Sequence, residues 1–267
     1  MRKSLLSAFL IMFLVTGVVA FGDEPKKEDP LTALVGGTVI DGTGAAPVVN
    51  ATVLVQGAKI LAVGPAATVK VPKGANVIDV RGKFILPGFI DCHTHITSET
   101  DQLEYHTDTN SLAALRGLQL MNFYLKSGVT AIRDVGSPIE SIQALRKAQE
   151  MGYVDTIRLF PCGYLITVTG GHGDGMHGAL AVDGPWAFRK AVREMNKEGF
   201  RHIKISPTFT PEEARAAVEE AKTLGMHITA HGGGFSDTIP TTMTRIAVQA
   251  GVECISIGTK WTTTFST

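Results

Sequence analysis

His93 and His95 stand one residue apart at the end of an apolar run, F-I-L-P-G-F-I-D-C-H-T-H-I from Phe84 to Ile96. Successive side chains of an extended strand alternate faces. The two imidazoles therefore point one way, while Cys92 and Thr94 point the other. Two neutral imidazoles on one face make half of a divalent-cation site. Lys204 lies inside the apolar stretch H-I-K-I-S, where burying an ammonium is costly. Desolvation lowers an amine from its usual pKa of about 10.4 and leaves it neutral and reactive. Carbon dioxide would convert such an amine into a carbamate, a carboxylate able to bridge two cations. His231 ends the run H-I-T-A-H. Taken singly, each has a plainer reading: a hydrogen-bonded strand-end histidine, or a lysine threading its head group to the rim.

The elements that must position these residues follow from periodicity. Residues 31–85 are all-β in pattern, with short β-branched runs alternating with turn signals such as Gly36-Gly37 and Gly64-Pro65. This predicts a small N-terminal sheet or β-sandwich. Beyond His95 the period changes. Helices are predicted over 111–127, 139–150, 185–198, 210–224 and 238–250, closed by Gly128, Gly152, Gly199, Gly225 and Gly251. Strands are predicted over 129–135, 157–161, 202–206, 227–231 and 253–257. With the strand that ends in His95, six strands alternate with five helices, the signature of right-handed βαβ units and a parallel sheet. A doubly wound sheet and a barrel both satisfy that alternation. His93, His95, Lys204 and His231 all fall on or at the ends of strands, and the C-terminal strand ends are where a barrel keeps its chemistry.

Composition sets the remaining bounds. The 267 residues carry 25 basic and 25 acidic side chains and are 44% hydrophobic. A net charge of zero without a basic stripe argues against a nucleic-acid partner. Residues 1–20 have the makeup of a secretory signal, with Arg2 and Lys3 before an apolar core and small residues up to Ala20. A polar tether over 21–30 follows. The expectation is an exported protein, periplasmic or extracellular, with no stable membrane association once the leader is cleaved. Cys92, Cys162 and Cys254 are too few and too odd in number for a disulfide framework. Their apolar surroundings read as packed thiols.

In combination the motifs resemble the amidohydrolase superfamily of metal-dependent hydrolases, in the branch of imidazolonepropionase-like proteins and Xaa-Pro or Xaa-Arg dipeptidases. The resemblance runs from Leu31 to about Gly258. It rests on V-I-D-G-T-G (39–44), L-P-G-F-I-D-C-H-T-H, G-V-T-A-I-R-D-V-G (128–136), T-G-G-H-G-D (169–174), H-I-K-I-S, I-T-A-H-G (228–232) and A-G-V-E-C-I (250–255). It implies a (β/α)8 TIM-like barrel over 86–267 behind the β-sandwich of 31–85. It also implies two divalent metals, usually zinc, with a bridging hydroxide as nucleophile. By the same resemblance His93, His95 and His231 are metal ligands and Lys204 is the carboxylated bridge. His172 and Asp174, in the glycine-rich loop after the third strand, are expected to face the substrate. Arg133 and Asp134 read as a structural pair behind the site. The substrate class is a small amide or dipeptide, and a homo-oligomer is compatible with all of this. Dipeptidase chemistry comes first and ring-opening of a cyclic amide second.

The pattern also departs from the family. Ser256-Ile257-Gly258-Thr259 stands where the family carries Glu-His-Gly-Thr, so the sixth-strand histidine ligand is missing. The eighth-strand aspartate, the family's general acid/base, is absent as well. The barrel is therefore expected to be incomplete, with about six strands. An inactive fragment is the contrasting expectation. Small reading-frame slips in codons for Glu-His and Met-Asp-Asp-Asp would yield the Ser-Ile and Trp-Thr-Thr-Thr found here.

Overall fold

A computed structural model describes residues 29–98, 109–232 and 240–256. The stretch expected to be a leader, Ile257 and the tail after it lie outside the described residues. The chain divides into two compact units, with the boundary between Pro87 and Gly88. Among the described residues no helix is long and apolar enough to cross a membrane.

The first unit is a five-stranded sheet made of β1 (Leu31–Val39), β2 (Val48–Gln56), β3 (Lys59–Pro65), β4 (Asn76–Asp79) and β5 (Phe84–Ile85). β1, β2 and β3 form an antiparallel meander, while β4 and β5 pair with β1 in parallel. The β2–β3 hairpin turns at Gly57, whose φ of +53° a side chain would disfavour. Val39, Ala51 and Val53 form its small core. Among the described residues this unit is one sheet, in which Ile60, Val63 and Phe84 stay exposed.

The second unit alternates strand and helix. It comprises β6 (Phe89–Thr94), α1 (Asn110–Lys126), β7 (Val129–Asp134), α2 (Ile139–Glu150) and β8 (Arg158–Pro161). Then come β9 (Leu165–Thr167), β10 (Ala179–Ala181), α3 (Pro185–Lys197), β11 (His202–Ile205) and α4 (Pro211–Thr223). β12 (His227–Ala230), α5 (Pro240–Ala250) and β13 (Cys254–Ile255) complete it. All pairings are parallel, in two runs, β6-β7-β8 and β10-β9-β11-β12-β13. β8 and β9 are one barrel strand bent at Gly163, which takes φ +72°. The seam between the runs is bridged there, because Cys162 N–H donates to Asp134 O (2.8 Å) and Ser137 N–H to Gly163 O (3.0 Å). The result is a parallel α/β fold with the strand order of a partial TIM-like barrel. β9 and β10 were not expected from the sequence; they flank the glycine-rich loop and hold its two ends side by side.

The core lies between strands and helices, with Ile132, Ile142, Phe188, Val192, Ile203 and Ile205 fully buried. Helix ends follow the local signals. Thr210 accepts from Glu213 N–H, and the Glu213 carboxylate accepts from Thr210 N–H (2.7 Å), closing a capping box ahead of Pro211. The other Glu213 oxygen takes Gly184 N–H at 2.8 Å, at the start of α3. Thr210→Ala is expected to cost about 1 kcal/mol in a urea titration. Glu213→Ala should cost more, because it also strands a donor of α3. Equal losses would contradict this shared-cap account.

Candidate active site

The strand ends bring four imidazoles together. The ring centroids of His93 and His95 lie 5.2 Å apart, those of His93 and His231 5.6 Å, and those of His172 and His231 5.0 Å. Parity puts His93 on the interior face of β6. His231 directly follows β12, on the same face as Thr229. The turn after β6 is fixed from below. Asp134 is fully buried at the end of β7, and its Oδ2 accepts Ile96 N–H at 2.7 Å. Burial pushes this carboxyl upward, against the opposing pull of His95 and of hydrogen bonds from Ser137, Ile96 and Gly136. Gly136 C=O accepts from both His95 Nδ1 (2.9 Å) and Ser98 Oγ (2.8 Å).

These bonds decide the tautomers. A carbonyl can only accept, so His95 Nδ1 carries its proton toward Gly136, and His93 Nδ1 carries its own toward Ser256 O at 3.3 Å. Burial first, then the charges of Lys204, His95 and His231, holds His93 neutral, pushed down to about 3. With both rings neutral in those tautomers, the two Nε2 atoms face each other at 3.3 Å with their lone pairs. Two nitrogens bound tetrahedrally to one zinc at about 2.05 Å would be separated by roughly 3.3 Å. The pair therefore fits one edge of a cation's coordination shell. No three His, Cys, Asp or Glu side chains among the described residues converge as a complete cation site. A cation at this edge would need further ligands from elsewhere.

Lys204 meets Ser256, the same residue whose carbonyl faces His93. It lies on β11, 1% exposed, with its Nζ donating to Ser256 Oγ. Burial is the main cause of its pKa falling to about 7, so a large share of the amine is neutral at that pH. His231 is pushed down to about 4, by burial first and then by Lys204, His172 and His95. At pH 7 its imidazole is neutral.

His172 joins the group through its backbone. Thr208 Oγ1 accepts its N–H at 2.7 Å, and its C=O accepts from Ser206 Oγ (2.8 Å) and Thr167 Oγ1 (3.0 Å). A Cβ on Gly171 would sit 2.7 Å from Thr167 Oγ1 and 2.8 Å from Thr208 Oγ1. Glycine is what lets the loop come this close. Asp174 is not brought in. It is exposed, and its Oδ2 caps the loop's own Gly170 N–H at 2.7 Å.

Arg133 and Asp134, expected as a structural pair behind the site, each make structural contacts but not with one another. Adjacent strand residues face opposite ways, so Asp134 braces the histidine turn while Arg133 reaches Cys92 O and Cys254 Sγ across the interior. Two participants were missed in the sequence: Ser256, which touches both Lys204 and His93, and the carbonyl of Gly136. A serine where the family pattern has glutamate was read only as a loss.

The chain belongs to the amidohydrolase family, whose model matches residues 84–256. Members of that family are hydrolases acting on carbon–nitrogen bonds. Among curated relatives, a dihydroorotase of Mycobacterium leprae is 32% identical over 181 residues, 67% of this chain and 37% of that enzyme. An ochratoxinase of Aspergillus niger is 27% identical over 264 residues, 81% of this chain and 52% of that protein. Among solved structures, a prolidase complexed with N-methylphosphonate-L-proline superposes with TM-score 0.70 at 33% identity, over 83% of this chain and 59% of its own. A Xaa-Pro dipeptidase with bound methionine in the active site gives 0.73 at 26% identity, over 84% and 61%. The chain thus spans about half the length or less of the curated relatives it matches, and about three-fifths of these two solved chains.

Proposed function

We propose that this chain carries the metal-binding half of an exported dipeptidase that cleaves small Xaa-Pro-like peptides. The observation that carries the reading is the opposed Nε2 pair of His93 and His95, two lone pairs 3.3 Å apart in rings tied to carbonyls at their other nitrogens. His93 and His95 would hold one divalent cation, zinc by preference for imidazole donors. His231 and a carboxylated Lys204 would hold a second beside it. Such cations polarise a scissile carbonyl and acidify water at neutral pH.

The chain's own residues do the rest. Lys204, partly neutral at pH 7, is a competent nucleophile toward carbon dioxide. The neutral nitrogen would bond to carbon as one C=O π pair moves onto oxygen, and the adduct nitrogen would lose a proton to solvent, which turns a buried amine into an anionic ligand. His172, held neutral by burial and then by the charges of Lys204 and His95, offers an uncharged imidazole beside His231. It would orient the substrate's polar groups without competing for the cation's charge. The proline-analogue complex of the 33%-identical prolidase favours a peptide substrate. The dihydroorotase relatives support the second reading, ring-opening of a cyclic amide.

The test is a zinc-loaded hydrolysis screen of Xaa-Pro dipeptides beside dihydroorotate, with Lys204→Ala as control. Turnover of dipeptides that Lys204→Ala abolishes is the expected result. Turnover of the cyclic amide alone would replace the first reading with the second. Zinc-independent turnover would sink both.

A further inference from the structure

Ser256 holds Lys204 in an arrangement that fixes which way the amine nitrogen faces. Lys204 on β11, Thr229 on β12 and Cys254 on β13 are register partners in one row across the interior. The far end of that row is already engaged. Thr229 Oγ1 donates to Cys254 O at 3.0 Å, and Arg133 Nη2 donates to Cys254 Sγ at 3.2 Å. Cys254 is half-buried and Cys92 exposed, so of the three thiols only Cys162 is packed as the sequence suggested. Ser256 stands two residues beyond Cys254 on the same face, roughly 6.6 Å further along the strand direction. The Lys204 head group reaches up to it, and Nζ donates to Ser256 Oγ. The serine is itself held from β12. Its N–H donates to Ala230 O at 2.9 Å, and its hydroxyl donates to the same carbonyl at 3.2 Å. A carbonyl can only accept, so the serine hydrogen goes to Ala230 and Oγ turns its lone pairs to Nζ. One Nζ hydrogen therefore points at Ser256, and the rest of the nitrogen's valence faces elsewhere.

We propose that Ser256 is a positioning residue for carboxylation of Lys204: its hydroxyl, committed as an acceptor by Ala230 O, retains one Nζ–H and leaves the opposite side of the nitrogen to carbon dioxide. The inference rests on the reading of Lys204 as a carboxylated ligand given above. The nitrogen lone pair bonds to carbon as one C=O π pair moves onto oxygen. The adduct nitrogen then loses a proton to solvent, and the hydrogen facing Ser256 stays. A carbamate is planar through the same resonance that flattens a peptide bond. With Cε behind it and its N–H held at Oγ, the plane of the carbamate is set, and its two oxygens project away from Ser256. The carbonyl of the same residue faces His93 Nδ1 at 3.3 Å. Ser256 thus orients an imidazole through its main chain and the carbamate through its side chain. Only the second duty depends on which residue stands there.

The experiment loads the full chain with zinc in isotope-labelled bicarbonate, reads the labelled carbamate carbon by NMR, and measures bound zinc by atomic absorption. The native chain is expected to show the carbamate. Ser256→Ala keeps the carbonyl that faces His93, so it should still bind zinc, while its carbamate signal at equal bicarbonate falls about tenfold, as for loss of an outer partner of a ligand. Ser256→Thr keeps the hydroxyl and should restore the signal. If the alanine variant does not fold, Ser256→Cys replaces it, being close in size with a weak acceptor, and the same fall is expected. An undiminished carbamate in the folded alanine or cysteine variant would overturn the proposal and leave the reading of Lys204 intact. A folded threonine variant that fails to restore the signal would overturn it equally, since the side chain would then act by packing. Absence of carbamate from the zinc-loaded native chain would overturn the reading of Lys204, and this proposal with it.

Discussion

Lys204→Met is expected to stabilise the metal-free chain at pH 7 by about 3–5 kcal/mol while removing its candidate chemistry. The amine is 1% exposed with Ser256 Oγ as its hydrogen-bond acceptor, and burial brings its pKa to about 7. An unfolded lysine titrates near 10.4. Below pH 7 both states hold the proton, so stability does not change with pH on this account. Between about 7 and about 10.4 the unfolded chain keeps its proton and the folded chain sheds it. The free energy of unfolding should then climb by about 1.4 kcal/mol per pH unit. Methionine fills a similar volume without the ionisable group, so this slope should vanish with the substitution. Replacing a buried ion by an apolar isostere is often stabilising. Urea titrations of both chains in chelator, from pH 6 to 10, would show it. A methionine variant less stable at pH 7, or one that keeps the slope, contradicts the account. A lysine buried in this way costs stability, and the carboxylated ligand proposed above would account for its presence.

His93→Ala should separate two quantities that normally move together. In chelator the loss should stay within about 1 kcal/mol, because the ring is half-buried, its Nδ1 bond is long at 3.3 Å, and its Nε2 opposes another lone pair. With zinc present at a hundred times its dissociation constant, the native chain should gain about 2.7 kcal/mol. The variant should lose nearly all of that gain, with affinity falling by more than the ten- to hundredfold typical of losing an outer partner. Thermal unfolding with and without zinc reads both. A variant as destabilised in chelator as in zinc would mean that His93 is a packing residue.

Much of this was legible because the signals are local. The five helix-stopping glycines, 128, 152, 199, 225 and 251, all take positive φ, and that requirement depends on the chain's own turn. The placement of His93, Lys204 and His231 along one interior follows from period-two alternation on parallel strands. What escaped notice depends on distant partners. β9 and β10 are three residues each and exist through pairing with one another and, for β9, with β11, which no propensity encodes. The Gly136 carbonyl that sets the His95 tautomer has no side chain to read. Ser256 acquires meaning only when Lys204 and His93 converge on it. Arg133 and Asp134 were legible as structural residues, and alternation sends their side chains to different partners, Asp134 to Ile96 N–H and Arg133 to Cys92 and Cys254. Asp174 shows the ambiguity of a glycine loop, where a carboxylate serves the turn as readily as a ligand.

The account rests on His93 and His95 facing a cation, and anomalous scattering from a zinc-soaked crystal of the full chain tests that directly. It predicts a peak within about 2.0–2.1 Å of both Nε2 atoms, close to His231 and on the side of Lys204. The other histidine pair, His202 and His227, is stacked at 5.4 Å and paired to Glu253, and it provides the contrast. A peak there with none at His93 and His95, or no peak at either, would contradict the central claim.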